Sequence, residues 1–364
     1  MKILMLSDMG SIHTKRWVKS LSERGCSILL FSLRDDDGGF YVNMNNVKVR
    51  CALANESSSY WDKVKYLKSV STVKKLIKEY KPDIVHAHYA SSYGFIGSLT
   101  RTNVPYVISV WGSDVYDFPN IVPFGKQIIR FNLKKADKIL STSHVMAKET
   151  MKYTDKEIDV TPFGVDTELF KPQPFNDNEE FVIGNVKTLR PKYGIDVLIQ
   201  AANIVIKNNP SRKIRLDIYG DGPQKEELIQ LAESLGIANK VNFKGFVKND
   251  ELPIVYNGFS VSVSPSICNS ESFGVVAVEA MACGCPVVTS DADGFTEVVV
   301  NDVTGFIVPK RNPEATANAI QRFIDNPELR EIMGMAGCKR VKKLYDWNDN
   351  VYTMIQIYKD IISI

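Results

Sequence analysis

Two glutamates, Glu271 and Glu279, stand eight positions apart in the segment SPSICNSESFGVVAVEAMACGCPVVTS. Eight residues are a little over two turns at about 3.6 residues per turn, so a helix beginning between them lets both carboxylates project at similar angles. Ser272, Phe273 and Gly274 fall where the loop becomes that helix. The N–H groups of a first helical turn lack intrahelical partners and carry the positive end of the helix dipole, which suits a diphosphate. Gly274 permits close approach. One carboxylate before the helix and one inside it can then accept hydrogen bonds from hydroxyls on either side of the diphosphate. Alone, two such glutamates are ordinary exposed side chains, and only their context gives them weight.

Further candidates lie in the first half. Gly10 follows the first apolar run, where it either forms a simple turn or brings backbone close to a phosphate or sugar. His13 comes next, at a helix N-terminus, with a structural role and an acceptor-facing role both open. His86 and His88 are two positions apart in a strand-like run and share a face, with His88 nearer the strand end. Asp291 and Asp293 form a D-x-D pair, and paired carboxylates can bind a divalent cation together with phosphates. Cys283 and Cys285 lack a second ligand pair, and their small-residue surroundings suit buried, inert thiols.

These residues need strands to hold them. Continuous apolar runs near Ile3 to Ser7, Ser27 to Ser32, Ile84 to His88, Tyr106 to Val110 and Lys138 to Ser141 read as parallel strands buried on both faces. Between them are stretches long enough for crossover helices, one from Trp61 to Lys81. Turn formers and three prolines interrupt the pattern in TPFGVDTELFKPQP. A second alternation then runs through Phe181 to Val186, Ile214 to Tyr219, Val241 to Phe243, Val261 to Ser264, Val287 to Thr289 and Gly305 to Val308. YGDGP reads as a turn from strand to helix. The last segment is helical, with Val351, Met354, Ile355, Tyr358 and Ile362 on one face. The expected fold is α/β, with Rossmann-like domains over 1–165 and 166–345 and a C-terminal helix over 346–364. Ligands of such sheets bind beyond the carboxyl ends of the strands.

The chain has 364 residues with 44% hydrophobic content, enough for two cores. Six scattered cysteines and no apolar run of about 20 residues point to a reducing cytoplasm rather than to secretion or membrane spanning. Net charge is +3, yet residues 1–165 carry an excess of eight positive charges and the rest an excess of five negative ones. The basic half suggests an anionic partner. Trp61, Lys63, Lys65, Lys68, Lys74, Lys75 and Lys78 on one helix, and Phe124, Lys126, Arg130, Lys134 and Lys135 in another stretch, fit peripheral contact with the inner face of the plasma membrane. Ordinary solvated helix faces are the alternative.

In order along the chain, the Gly10 loop, GVDTELF, VKTLRPKYGIDVLI, YGDGP, ESFGVVAVE and GCPVVTSDADGFTEVVVNDVTGFIVP make the sequence resemble glycosyltransferase family 4, the retaining group 1 enzymes of GT-B fold. The resemblance covers nearly the whole chain and is strongest from 161 to 310. It implies two Rossmann-like domains facing across a cleft, with Glu271 on hydroxyls of the donor sugar and Glu279 on the ribose. It also places the backbone of Phe273, Gly274 and Val275 at the diphosphate, with Lys187 and Lys192 as its cations. Relatives often have arginine at the first cation, where lysine supplies a point charge without a fork. They often place the second directly before glycine, whereas Tyr193 here separates Lys192 from Gly194. Many also carry histidine where VISVWGSD has Trp111, whose indole N–H is a donor only and cannot act as a base. Trp111 with Asp114 is expected to shape the acceptor side, leaving His13 and His88 as the alternative bases.

The implied reaction moves a sugar from a nucleoside-diphosphate-sugar, a UDP-sugar first, to a hydroxyl of a glycan or lipid-linked acceptor in bacterial polysaccharide or glycolipid synthesis. No cofactor, metal or nucleic acid is expected. A nucleotide-sugar epimerase of the same architecture and a non-catalytic nucleotide-sugar-binding subunit are the alternatives. A nicotinamide oxidoreductase is disfavoured, because no G-x-G-x-x-G follows a strand.

Overall fold

A computed structural model of the chain describes all residues except 35–37, 53–61, 101–102, 174–179 and 364, together with all side chains of those described residues other than 62–67. The chain forms two compact units, Met1–Pro162 with Asp349–Ile364, and Phe163–Asn348.

The first unit holds a parallel sheet of β1 (Lys2–Leu6), β2 (Ser27–Ser32), β3 (Val47–Cys51), β4 (Ile84–His88), β5 (Tyr106–Val110), β6 (Lys138–Ser141) and β7 (Ile158–Val160). Their order is β3-β2-β1-β4-β5-β6-β7. The second unit holds β8 (Glu180–Val186), β9 (Lys213–Tyr219), β10 (Val241–Gly245), β11 (Val261–Ser264), β12 (Val287–Ser290) and β13 (Gly305–Val308) in the order β10-β9-β8-β11-β12-β13, again all parallel. In each sheet the direction of winding reverses once, between β1 and β4 and between β8 and β11. That reversal opens a crevice at the carboxyl ends of those strands, because the flanking connections leave to opposite faces.

The strands β4, β5 and β11 are buried along their length, as helices on both faces require. Two edge strands, β3 and β7, have no counterpart among the expected runs, since each is only partly covered and lacks a continuous apolar signature. The basic helix spans Asp62–Tyr80. Trp61 lies outside the described residues, as do the side chains of Lys63 and Lys65.

The C-terminal helix, Trp347–Ile362, joins the first unit from Asp349 onward. Val351, Met354 and Tyr358 are buried, but Ile362, at the helix end, is exposed rather than packed with them. Just before it, Val165 N donates to Tyr345 O and Trp347 N donates to Val165 O, each at 2.9 Å. These bonds hold the first and last segments of the second unit side by side.

Candidate functional site

In the second unit, chemistry gathers at the β8–β11 reversal. Beyond β8 the backbone of Lys187 to Leu189 runs along the Tyr219–Pro223 turn, with Lys187 N on Tyr219 O at 2.9 Å and Leu189 N on Asp221 O at 3.0 Å. Glycine is required there. A Cβ on Gly220, at φ +129°, would meet Lys187 O at 2.0 Å, and one on Gly222 would meet Leu189 O at 2.4 Å. The YGDGP turn is thus the bed on which the Lys187 loop lies, a role its sequence alone did not reveal.

The loop continues into a single 3-10 turn, Pro191–Tyr193, whose Lys192 carbonyl accepts from Ile267 N at 2.9 Å. This bond ties the loop after β8 to the loop after β11. Glu271, in the latter, is held from behind, where Gly294 N donates to its carbonyl at 2.8 Å. A Cβ on Gly294 would lie 2.4 Å from both Glu271 O and Phe273 N. The D-x-D segment therefore contributes the glycine that follows it, while Asp291 pairs with Lys310 at 3.3 Å.

These constraints bring Lys187 Nζ to 2.7 Å from Glu271 Oε2, with both side chains largely buried. Ser266 Oγ donates to the same oxygen at 3.3 Å. Lys187 and Lys192 both place their ammonium groups over the Tyr193 ring, 4.6 and 5.0 Å from its centroid. The tyrosine that interrupts the expected Lys-Gly pair thus gathers the two cations. Burial opposes the Lys187 charge, but Glu271, Tyr193 and Glu279 outweigh it and hold the ammonium above its ordinary range.

Gly274, at φ +84°, starts the helix Val275–Ala282. Phe273 is buried, its ring against Phe163 and Tyr345, so its backbone rather than its side chain faces the helix entrance. Glu279 is buried one turn in, accepting from Tyr256 OH at 2.9 Å. Cys283 and Cys285 are buried free thiols, and burial pushes Cys283 up to about 12, which leaves it unreactive.

In the first unit, the carboxyl ends of β1, β4 and β5 carry a ring cluster. Trp111 lies 4.4 Å from His88 between centroids and 5.8 Å from His13. His88 Nδ1 is 3.0 Å from Ser7 Oγ, which is 2.7 Å from Thr14 Oγ1. His86 bridges Ser109 Oγ at 2.7 Å and Tyr358 OH at 2.6 Å, joining the sheet to the C-terminal helix. Gly10 sits in the preceding turn, its N–H on Asp8 Oδ1 at 3.0 Å. Asp114 is fully buried and accepts from Ala90 N and Gly112 N at 2.8 Å and Trp111 N at 3.1 Å. Its carboxylate fixes the turn under Trp111 and does not point to solvent.

Residues 166–340 match the family described as Glycosyl transferases group 1, and residues 2–143 match Glycosyl transferase 4-like. A D-inositol 3-phosphate glycosyltransferase of Nocardiopsis dassonvillei is 30% identical over 310 residues, 76% of this chain and 70% of the relative. The chain belongs to the group 1 glycosyltransferases of family 4. Two solved structures show the same GT-B fold. Sucrose-phosphate synthase from Thermosynechococcus elongatus has a TM-score of 0.86 at 21% identity, covering 100% of this chain and 99% of that one. Anabaena HepE, solved with UDP and glucose, has a TM-score of 0.81 at 20% identity, covering 99% and 100%.

In this glycosyltransferase, then, Lys187, Lys192, Glu271, Glu279 and the Phe273–Val275 backbone belong to one unit, beyond the carboxyl ends of its strands. Gly10, His13, His88, Trp111 and Asp114 belong to the other, near the carboxyl ends of its central strands. His86 and Tyr358 were not singled out for their pairing, and no local motif announces it, because 272 positions separate them.

Burial holds both strand histidines neutral, pushing His86 down from 6.5 to about 3 and His88, beside His86 and His13, well below 6.5. Below about 6.5 the unfolded chain binds more protons than the fold, so stability falls as pH falls. Thermal melts from pH 7 to pH 5 are expected to show a falling midpoint, with a shallower slope in His86→Gln. A slope unchanged by that substitution would show that His86 is not held neutral by the fold.

Proposed function

We propose that the chain transfers a sugar from a nucleoside-diphosphate-sugar, a UDP-sugar first, to a hydroxyl of a glycan or lipid-linked acceptor, with retention, in bacterial polysaccharide or glycolipid synthesis. The observation that carries this reading is the Lys187–Glu271 pair beside the N-terminus of Val275–Ala282. A cation, a carboxylate and a helix entrance at a sheet reversal suit a diphosphate joined to a polyol.

On donor binding, Lys187 turns part of its charge from Glu271 to the diphosphate, and Glu271 accepts hydrogen bonds from sugar hydroxyls. Lys192 adds a second cation, so the reading needs no metal. Glu279 serves the ribose. In the transfer, the bond from the anomeric carbon to the diphosphate oxygen breaks and a bond to the acceptor oxygen forms. The acceptor proton passes to the departing diphosphate, whose growing charge the lysines stabilise. The acceptor is received at the carboxyl ends of the first unit's strands, where the partly exposed His13 and Trp111 lie.

Nucleotide sugars screened by thermal shift provide the test. A true donor at about 100 times its Kd adds roughly 2.7 kcal/mol of stability, and UDP-glucose is the first expected to do so. If no UDP-, GDP- or ADP-sugar raises the midpoint, the donor reading fails. Nucleoside diphosphate released without any acceptor would favour the epimerase instead.

A further inference from the structure

The first unit carries an apolar tip beside a cationic face. Between the short helix Phe118–Ile121 and the helix Gly125–Lys135, the chain turns through Val122, Pro123 and Phe124. Ile121 is 75% exposed and Phe124 76%. Phe124 also has a left-handed backbone, φ +59°, which a bulky residue adopts only against its preference. The turn around it is held firmly. Gly125 N donates to Val122 O at 2.9 Å, and a Cβ on Gly125 would lie 2.6 Å from Phe118 O. The fold thus keeps a large ring in water and in a disfavoured backbone conformation, and neither feature stabilises the unit itself.

The helix that follows buries Ile129 and Leu133. Its exposed side carries Lys126, Arg130 and Lys134, each four residues from the next, with Lys135 over the half-exposed Phe131 ring. Four-residue spacing puts the first three on one stripe. No Asp or Glu occurs between Phe118 and Ala136. Lysine and arginine around a protruding aliphatic and aromatic pair match a partner that is anionic at its surface and apolar just beneath it. A folded protein partner would instead call for a broad, shaped apolar patch, whereas the most strongly exposed large apolar side chains of this turn are Ile121 and Phe124.

We propose that this surface docks on an anionic phospholipid bilayer, with Ile121 and Phe124 inserted below the headgroups and Lys126, Arg130, Lys134 and Lys135 against them. The contact goes beyond the transfer reading and does not depend on it. It also differs from purely electrostatic adsorption, because insertion of the tip persists when salt screens the charges.

The test is co-sedimentation of the full chain with vesicles of phosphatidylglycerol and phosphatidylcholine in equal parts, and with phosphatidylcholine alone. At low salt, partitioning is expected to favour the anionic vesicles at least tenfold, since each cation contributes on the order of fivefold. Arg130→Glu with Lys134→Glu should remove that preference. Phe124→Gly gives a sharper readout: it relieves the left-handed strain, so the melting temperature holds or rises, while vesicle binding falls at least tenfold. A Phe124→Trp variant should show a blue-shifted emission increment with anionic vesicles. Wild-type protein that ignores anionic vesicles, or a folded Phe124→Gly variant that binds them undiminished, overturns the proposal. So does a vesicle-free dimer that this same substitution dissolves, which would make the surface a self-contact. Donor thermal shifts are read without vesicles, so the two proposals can fail separately.

Discussion

Glu271→Ala is expected to lose turnover by about two orders of magnitude or more while UDP binding is kept. A charged hydrogen bond to a sugar hydroxyl contributes about 1.5–3 kcal/mol, and one that tightens at the reacting sugar acts directly on the rate. The same substitution strands Lys187, whose side chain is only 15% exposed, beside an empty space. Removing one partner of a buried ion pair costs about 3–5 kcal/mol, so the ligand-free variant should melt well below wild type. UDP should then restore more stability to the variant than to wild type, because its diphosphate takes the place of the lost Glu271 carboxylate beside Lys187. Turnover and calorimetric UDP affinity, measured on the same folded preparation, separate the outcomes. Near wild-type turnover would remove Glu271 from the chemistry. Parallel loss of UDP affinity would make it a structural residue of the diphosphate site.

Legibility of this molecule from sequence followed burial. Strands such as β4, β5 and β11 are covered on both faces and appear as unbroken apolar runs, so their bounds were readable. β3 alternates buried and exposed positions at the sheet edge, and β7 has only three half-covered residues, too little for a periodic signal. The same contrast holds in the site. ESFGVVAVE announces itself because a loop, a glycine and a helix start coincide in nine residues. The pieces that hold it are dispersed: Gly220 under Lys187, Gly294 under Glu271, and the Lys192 carbonyl on Ile267. Each is a close backbone approach between segments far apart in the chain, and a lone glycine in a turn carries no mark of what passes over it. Tyr193 illustrates the limit from the other side. As a letter it broke a family pattern, whereas in space its ring lies beneath both lysines.

Lys187→Ala should cost far more rate than any histidine substitution, and this contrast tests how the acceptor loses its proton. Position 111 offers no base, since an indole N–H only donates. His88 is neutral and buried, its value pushed well below 6.5 by desolvation with His86 and His13 adding to the effect. A base so weak at neutral pH provides little driving force, whereas an effective general base contributes about 10² to 10⁴ in rate. Front-face transfer, in which the departing diphosphate takes the proton, assigns the work to the cations. Removing one preorganised electrostatic stabiliser of a leaving group costs on the order of 10² to 10³ in kcat. Lys187→Ala is accordingly expected in that range, with Lys192→Ala losing both donor affinity and rate. His13→Ala and His88→Gln should stay within about tenfold of wild type, short of what loss of a general base costs, and Trp111→His should not exceed wild-type turnover. His88→Gln keeps a polar group near Ser7 and avoids opening a cavity under Trp111, so its rate can be read on folded protein. Product anomers assigned by NMR complete the experiment. An inverted product would rule out retention, and a hundredfold fall in either histidine variant with acceptor binding intact would transfer the proton to that histidine.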